Sequence, residues 1–482
     1  MRKTIIKIIL ILLALLVVWV AANQFDAKLN PDVFTKKDIP AASFDKTNGF
    51  YILWTWHEPP GVDVTSGPVL EKYRRLFDPQ WDNETYIQQY DYKKEREMYR
   101  NSYLKKYQQL GIKLEGVRDS THNDVCEEVE SKRSSLSPLD PDLQVFYNRC
   151  RLMIESKVFE DFISLKADAP LPNLLAWLHA TRLYTAVNVL TALDGEWEKG
   201  VSNLLDMVDF GKRAVKGSRF LIVNLVSKAV LKIPLEAVAS LMNRKECPAS
   251  VYEIVLKRTP PLEYEEYGSR QSLICELLAF SFDFIDHPYR TKPYRPLNFW
   301  ERIPLFLFLQ ENRTKNYADE FFKKFIEMEE TLPYRWKSDT VQLETFKAGP
   351  FWWLWNAGGK ILLTTYNDYT GLHKKGSGLY AVIFKSYGKK AIYDMVRISA
   401  ELHLKYDPDK PVQEILDGLD SYKVLDPCSG QPYKWNDEKQ FLYSIGTDRT
   451  DNGGETQDYQ KIPGTDYAIP VTLFLPHGMG NR

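Results

Sequence analysis

An unbroken apolar run over residues 8–22, preceded by Arg2, Lys3 and Lys7, constrains this chain more than any other feature. A stretch of that length without a polar side chain is not the exposed face of a globular body. With Lys7 able to snorkel, residues 4–22 approach the ~20 that cross a hydrocarbon core. The cationic flank predicts that the N-terminus stays in the cytoplasm and that the chain from Asn23 onward lies across the membrane. A cleaved signal peptide is the competing reading, with Val20 and Ala22 at a small-residue cleavage site. Trp19 lies close to that site, and no polar or helix-breaking stretch separates it from the apolar run, which favours an uncleaved anchor. The expected location is the inner membrane, single-pass, with the body on the periplasmic or extracytoplasmic side. The lipid bilayer is then the first partner.

The 482 residues suffice for two to three domains. Lys and Arg number 63 against 64 Asp and Glu, a net charge of -1. That balance lacks the concentrated positive charge on which nucleic-acid binding depends, so no nucleic-acid partner is expected. Aromatic residues reach 13%; large rings with polar handles suit packed cores and binding surfaces.

The patterning predicts a mainly α fold in five stretches. Residues 1–23 form the membrane anchor, and 24–140 a mixed juxtamembrane region. Residues 141–330 are a helical domain: Leu174, Leu175, Leu178, Leu183, Val187 and Leu190 recur at helical spacing until Asp194-Gly195 breaks the run. Further helices are expected over 196–216, 218–242, 263–285 and 302–330, as helical hairpins in a bundle or a short solenoid. Residues 331–388 are an aromatic and Gly-rich connection. Residues 389–482 form a small α+β module with a short antiparallel sheet.

Several tempting motifs fail on their chemistry. His57-Glu58 opens like a zinc-protease helix, but Pro59-Pro60 follows and the second His is missing. Gly358-Gly359-Lys360 lacks the first Gly of a phosphate loop (Leu354 stands there) and has Ile361 where Ser or Thr would meet magnesium. Gly376-Ser377-Gly378 lacks the spacing of a nucleophile elbow. No catalytic residue is assigned. Glu263, Glu265, Glu266, Arg270 and Glu276 share one expected helix. Glu276 stands out inside Leu273-Ile274-Cys275-Glu276-Leu277-Leu278, where a carboxylate needs a partner and Arg270 is the nearest candidate. Export would also let Cys126 and Cys150 pair as a disulfide; the alternative is that all five cysteines are small buried hydrophobes.

The C-terminal stretch is the most readable. A helix over 389–403 is followed by Asp426-Pro427-Cys428-Ser429-Gly430-Gln431-Pro432-Tyr433, the strand Phe441-Leu442-Tyr443-Ser444, and a polar loop over 448–454. This order resembles the globular part of the major pseudopilin of type II secretion, and the C-terminal modules of uncharacterised single-anchor bacterial envelope proteins. The resemblance covers residues 389–467. It implies a calcium site in which Ser444 and Asp448 match the family's oxygen ligands, Asp458 a later one, and Asp451 adds a donor. A Gly/Asn turn with solvated carboxylates is the competing reading. The N-terminus lacks the prepilin peptidase site and the Glu five residues into the run, so fibre assembly is not implied. Asn48-Gly49-Phe50-Tyr51 and Gly359-Lys360-Ile361-Leu362-Leu363 are similar to stretches of the same envelope proteins, which carry no known activity.

The functional expectation is a membrane-anchored, non-enzymatic envelope protein that interacts with, or assembles with, another envelope protein. The alternatives are an anchored hydrolase of envelope material using Glu265, Glu266 and Glu276, and a calcium-responsive binding module.

Overall fold

The computed structural model describes residues 2–23, 25–40, 47–56, 58, 61–66, 68–69, 103–114, 124–161, 171–286, 309–336, 356, 359, 362–363, 378–455 and 466–474. The protein is mainly helical, with one small antiparallel sheet. The first helix, α1 (Arg2–Asn23), takes in the whole apolar run. Of this helix the side chains of residues 6–21 are described, and among the described residues no helix is long and apolar enough to cross a membrane.

Short helices α2 (Tyr103–Leu110) and α3 (Val125–Ser131) precede α4 (Pro141–Glu155). Asp140 caps α4, and Pro141 occupies its first turn, where a missing N–H costs nothing. The centre is α5 (Leu174–Leu193), α6 (Trp197–Gly217) and α7 (Leu221–Met242). Asn173 caps α5 by accepting from the Ala176 N–H at 3.0 Å, and Gly195 at φ +100° turns the chain into α6. The pair α6/α7 packs most extensively, and α5 touches both. The helix α8 (Ala249–Arg258) follows Cys247-Pro248.

Where one helix over 263–285 was expected, the chain makes a 3-10 turn (Tyr264–Glu266), a short helix α9 (Arg270–Glu276) and a π-helical turn (Leu277–Phe282). Glu263 and Glu266 cap the first turn reciprocally, and a Cβ on Gly268 would stand 2.6 Å from the Tyr264 ring. The chain therefore restarts beyond that ring instead of running through it.

Next come α10 (Glu311–Glu330), α11 (Gly378–Lys405) and α12 (Val412–Asp417). The sheet is β1 (Lys434–Asn436), β2 (Phe441–Ser444) and β3 (Tyr467–Pro470), in that order and antiparallel throughout. The helix α11 starts well before the expected position 389 and packs on α7, α8, β2 and β3. It therefore ties the C-terminal sheet to the central helices. One apolar cluster runs from Ile39 to Val471. Helices distant in sequence close on one another, which is a bundle and not a solenoid of nearest neighbours.

Two sequence stretches singled out above serve this packing. Asn48 caps the 3-10 segment Gly49–Trp54 by accepting from Phe50, and clamps it to the chain near Val158 by exchanging hydrogen bonds with Glu160 at 2.8 and 2.9 Å. The buried Arg149 donates to the carbonyls of Thr55, Trp56 and Glu58 at 2.6–2.9 Å. In the second stretch, Gly359 is pinned through its N–H to Asn356, while Leu362 and Leu363 are buried. Residues 57, 84–102, 351–355, 358, 360–361, 376–377 and 458, which carry parts of the motifs weighed above, lie outside the described residues.

The segment leaving α1 lies along α10 as a strap. Asp26 accepts from the Asn312 and Arg313 amides at 2.6 and 3.1 Å. Further along, Asn316 joins Asn30 and Lys28, Phe34 donates to Asp319, and Lys323 reaches Asp32. A carboxylate on the first-turn amides of a helix satisfies orphan donors and complements the helix dipole.

Candidate functional site

The C-terminal loop was the expected metal site, and its residues have diverse roles. Ser444 donates to Asp426 at 2.8 Å and accepts from the Gly446 N–H, pinning the strand end to the Asp-Pro turn. Asp426 also accepts from the Cys428 N–H at 3.0 Å. Asp448 accepts from the Thr450 N–H at 2.9 Å, and burial raises its carboxyl above the usual range. Asp451 is ion-paired to Lys434, which holds its carboxyl low, and takes further bonds from Tyr443 and Gly453.

A residue the sequence did not flag completes the loop. Asp466 accepts from the Asn452 and Gly454 N–H groups through Oδ2, while its buried Oδ1 has no partner among the described residues. Burial pushes the Asp466 carboxyl up to about 6, and the charges of Asp451 and Asp448 push the same way. Ser444 and Asp426 form one hub, and Asp466 lies in the field of both Asp448 and Asp451. Among the described residues no three His, Cys, Asp or Glu side chains are grouped so as to hold a metal ion. The clue missed in the sequence is an acidic residue immediately before an apolar strand, at Asp466-Tyr467.

All five cysteines are free and buried. Cys126 takes a hydrogen bond from Ser240 at 3.2 Å, and Cys150 is wholly enclosed on α4, so this structure does not join the pair considered from sequence. Burial raises both thiols above the ordinary range, which keeps them protonated.

Of the carboxylates before the π turn, Glu265 faces solvent and Glu266 serves the local cap. Arg270 pairs with Glu330 at 2.9 Å, not with Glu276. Glu276 is part-buried at the end of α9, and desolvation alone pushes its carboxyl up to about 8. The three expected carboxylates do not converge.

A polar junction inside the bundle went unforeseen. Lys228 on α7 is wholly buried and donates to Ser386 on α11 at 2.6 Å and to Ser269 before α9. Ser269 donates to Asn224 at 3.2 Å, and Ser386 to Glu329 at the end of α10 at 3.2 Å. Glu329 also takes the Tyr264 hydroxyl, and its carbonyl takes that of Tyr387. Four elements thus meet on one hydrogen-bonded network. Desolvation brings the Lys228 ammonium down to about 8, opposed by the Glu329 charge. Lys228 donates to both hydroxyls, and Lys228, Ser269, Ser386 and Glu329 are each no more than 2% exposed. The network therefore fixes how α7, α9, α10 and α11 meet, because a buried amine or hydroxyl without partners is costly. The sequence clue was Lys228 within the apolar stretch of α7.

No protein family, curated protein or solved structure matches the chain.

Proposed function

We propose that the chain is a single-pass, membrane-anchored envelope protein whose mainly helical body is held on the extracytoplasmic side and engages an envelope protein partner without catalysing a reaction. The observation that carries this reading is the apolar skin of α1, where Ile8 is 52% and Val17 66% exposed. Each such side chain gains ~1.5–3 kcal/mol on leaving water, and a lipid core accepts a helix whose backbone bonds are internal. Arg2, Lys3 and Lys7 supply the cytoplasmic flank. The dispersal of Glu265, Glu266 and Glu276 into separate surroundings bears only on the hydrolase alternative built on those three carboxylates.

Membrane fractionation tests it. The full chain is expected in the alkaline-resistant membrane pellet, with its C-terminus open to protease from the periplasmic face. A chain beginning at Phe25 is expected in the soluble fraction. Recovery of the full chain from the soluble fraction without detergent overturns the anchor.

A second reading rests on Asp466 Oδ1, which has no partner among the described residues. The C-terminal module is a pseudopilin-like, calcium-responsive unit, a reading supported by α11 lying against β2 and β3 beside a loop bearing Asp448, Asp451 and Asp466. Millimolar calcium is then expected to raise the melting temperature, and chelator to reverse the rise; equal melting in both discards it.

A further inference from the structure

The chain has little freedom at the point where α1 hands over to the body. The apolar run ends at Ala22 and α1 at Asn23, while Asp26 is already bonded to the first-turn amides of α10 at 2.6 and 3.1 Å. Three residues of extended chain reach at most ~11 Å. The headgroup layer on one side of a bilayer is itself ~5–8 Å deep. Trp19 lies about one turn before the end of α1, a level that suits an indole at the headgroup boundary. An anchored α1 therefore holds the first turn of α10 against the membrane surface.

The strap's backbone is fixed along α10. The Lys28 carbonyl accepts from Asn316 Nδ2 at 2.9 Å, the Asn30 N–H donates to Asn316 Oδ1 at 2.9 Å, and the Phe34 N–H donates to Asp319 at 3.0 Å. On that frame two large apolar side chains stay uncovered. Phe25, at 78%, is the most exposed large apolar residue among the described ones, and Leu29 is 44% exposed. Lys28 stands between them, exposed and without an ion pair among the described residues. The neighbouring carboxylates are engaged, Asp26 by the α10 amides and Asp32 by Lys323. Apolar side chains enter the acyl–headgroup boundary, and a lysine beside them extends its ammonium to the phosphates.

We propose that the first half of the strap, from Phe25 to Leu29, docks the body onto the lipid surface. Phe25 and Leu29 occupy the acyl–headgroup boundary, Lys28 meets the phosphate layer, and the first turns of α10 lie directly above. The proposal rests on the anchored reading and deepens it, because a bare tether would let the body swing freely. A single acyl chain gives only marginal binding, so two side chains orient the body while α1 retains it.

Nitroxide labels test the docking. Phe25→Cys and Leu29→Cys are labelled in separate full-length chains, the five native cysteines being buried, and placed in vesicles of equal parts phosphatidylcholine and phosphatidylglycerol. Lys257→Cys on the exposed side of α8 carries the control label. Accessibility to oxygen relative to a water-soluble nickel complex is expected to be severalfold higher at positions 25 and 29 than at 257. Position 29 decides, since 25 adjoins α1. A label there as open to nickel as the control overturns the docking. So does a label closed to both reagents, because a protein surface then covers it. Flotation of the same vesicles after an alkaline wash separates the two readings. Chains that float while position 29 lies in water keep the anchor and lose the docking; chains that do not float lose both.

Discussion

Glu276 shows how far one side chain is shaped by what surrounds it. Its carboxyl titrates near 8 in the fold against 4.5 ordinarily, from desolvation. Between those values the folded chain keeps a proton that the unfolded chain has lost. Stability from this group is complete below pH 4.5 and falls as pH rises through 8. Glu276→Gln removes the dependence, so urea melts are expected to show the variant ~1–3 kcal/mol more stable than wild type at pH 8.5, with the gap closing at pH 4. A gap that is the same at both pH values counts against a desolvated carboxyl. The sequence marked Glu276 through its apolar neighbours but misassigned its partner, because Arg270 and Glu330 meet only once α10 folds back. Lys228, Ser269, Ser386 and Glu329 were harder to see. Each looks ordinary alone, and their relation exists only where four elements cross.

At the scale of elements, close approach between helices depends on missing side chains. Gly211 on α6 faces the backbone of α7: a Cβ there would stand 2.8 Å from Leu231 Cα. Gly211→Val is expected to force these helices apart and cost ~1–3 kcal/mol, read as a lowered melting temperature; an unchanged melt would show that the helices part freely. Gly388 plays the same part under the Tyr467 ring, where α11 receives β3. Helices α5 to α7 were legible from apolar spacing and from the break at Asp194-Gly195. The π turn and the early start of α11 were not, since both answer to packing partners distant in sequence. In the C-terminal loop, Ser444, Asp448 and Asp451 were legible as oxygen donors, whereas the capture of Ser444 by Asp426 depends on the turn meeting the strand.

For the whole molecule, the decisive joint is the strap from Asp26 to Phe34 along α10. Asp26→Ala is expected to remove the cap on the first turn of α10 and cost ~0.5–2 kcal/mol locally, seen as faster hydrogen exchange at the Asn312 and Arg313 amides. Exchange there at the wild-type rate would mean that the strap is held by its later contacts. The same joint has a mechanical reading. The strap's contacts advance along α10 from Asn312 through Asn316 to Asp319, in step with its own direction, and Lys323 reaches back to Asp32. A pull along the helix axis strains all of these bonds together, whereas a sideways pull strips them one by one from Asp26. The protein should thus resist tension in one direction and yield in another.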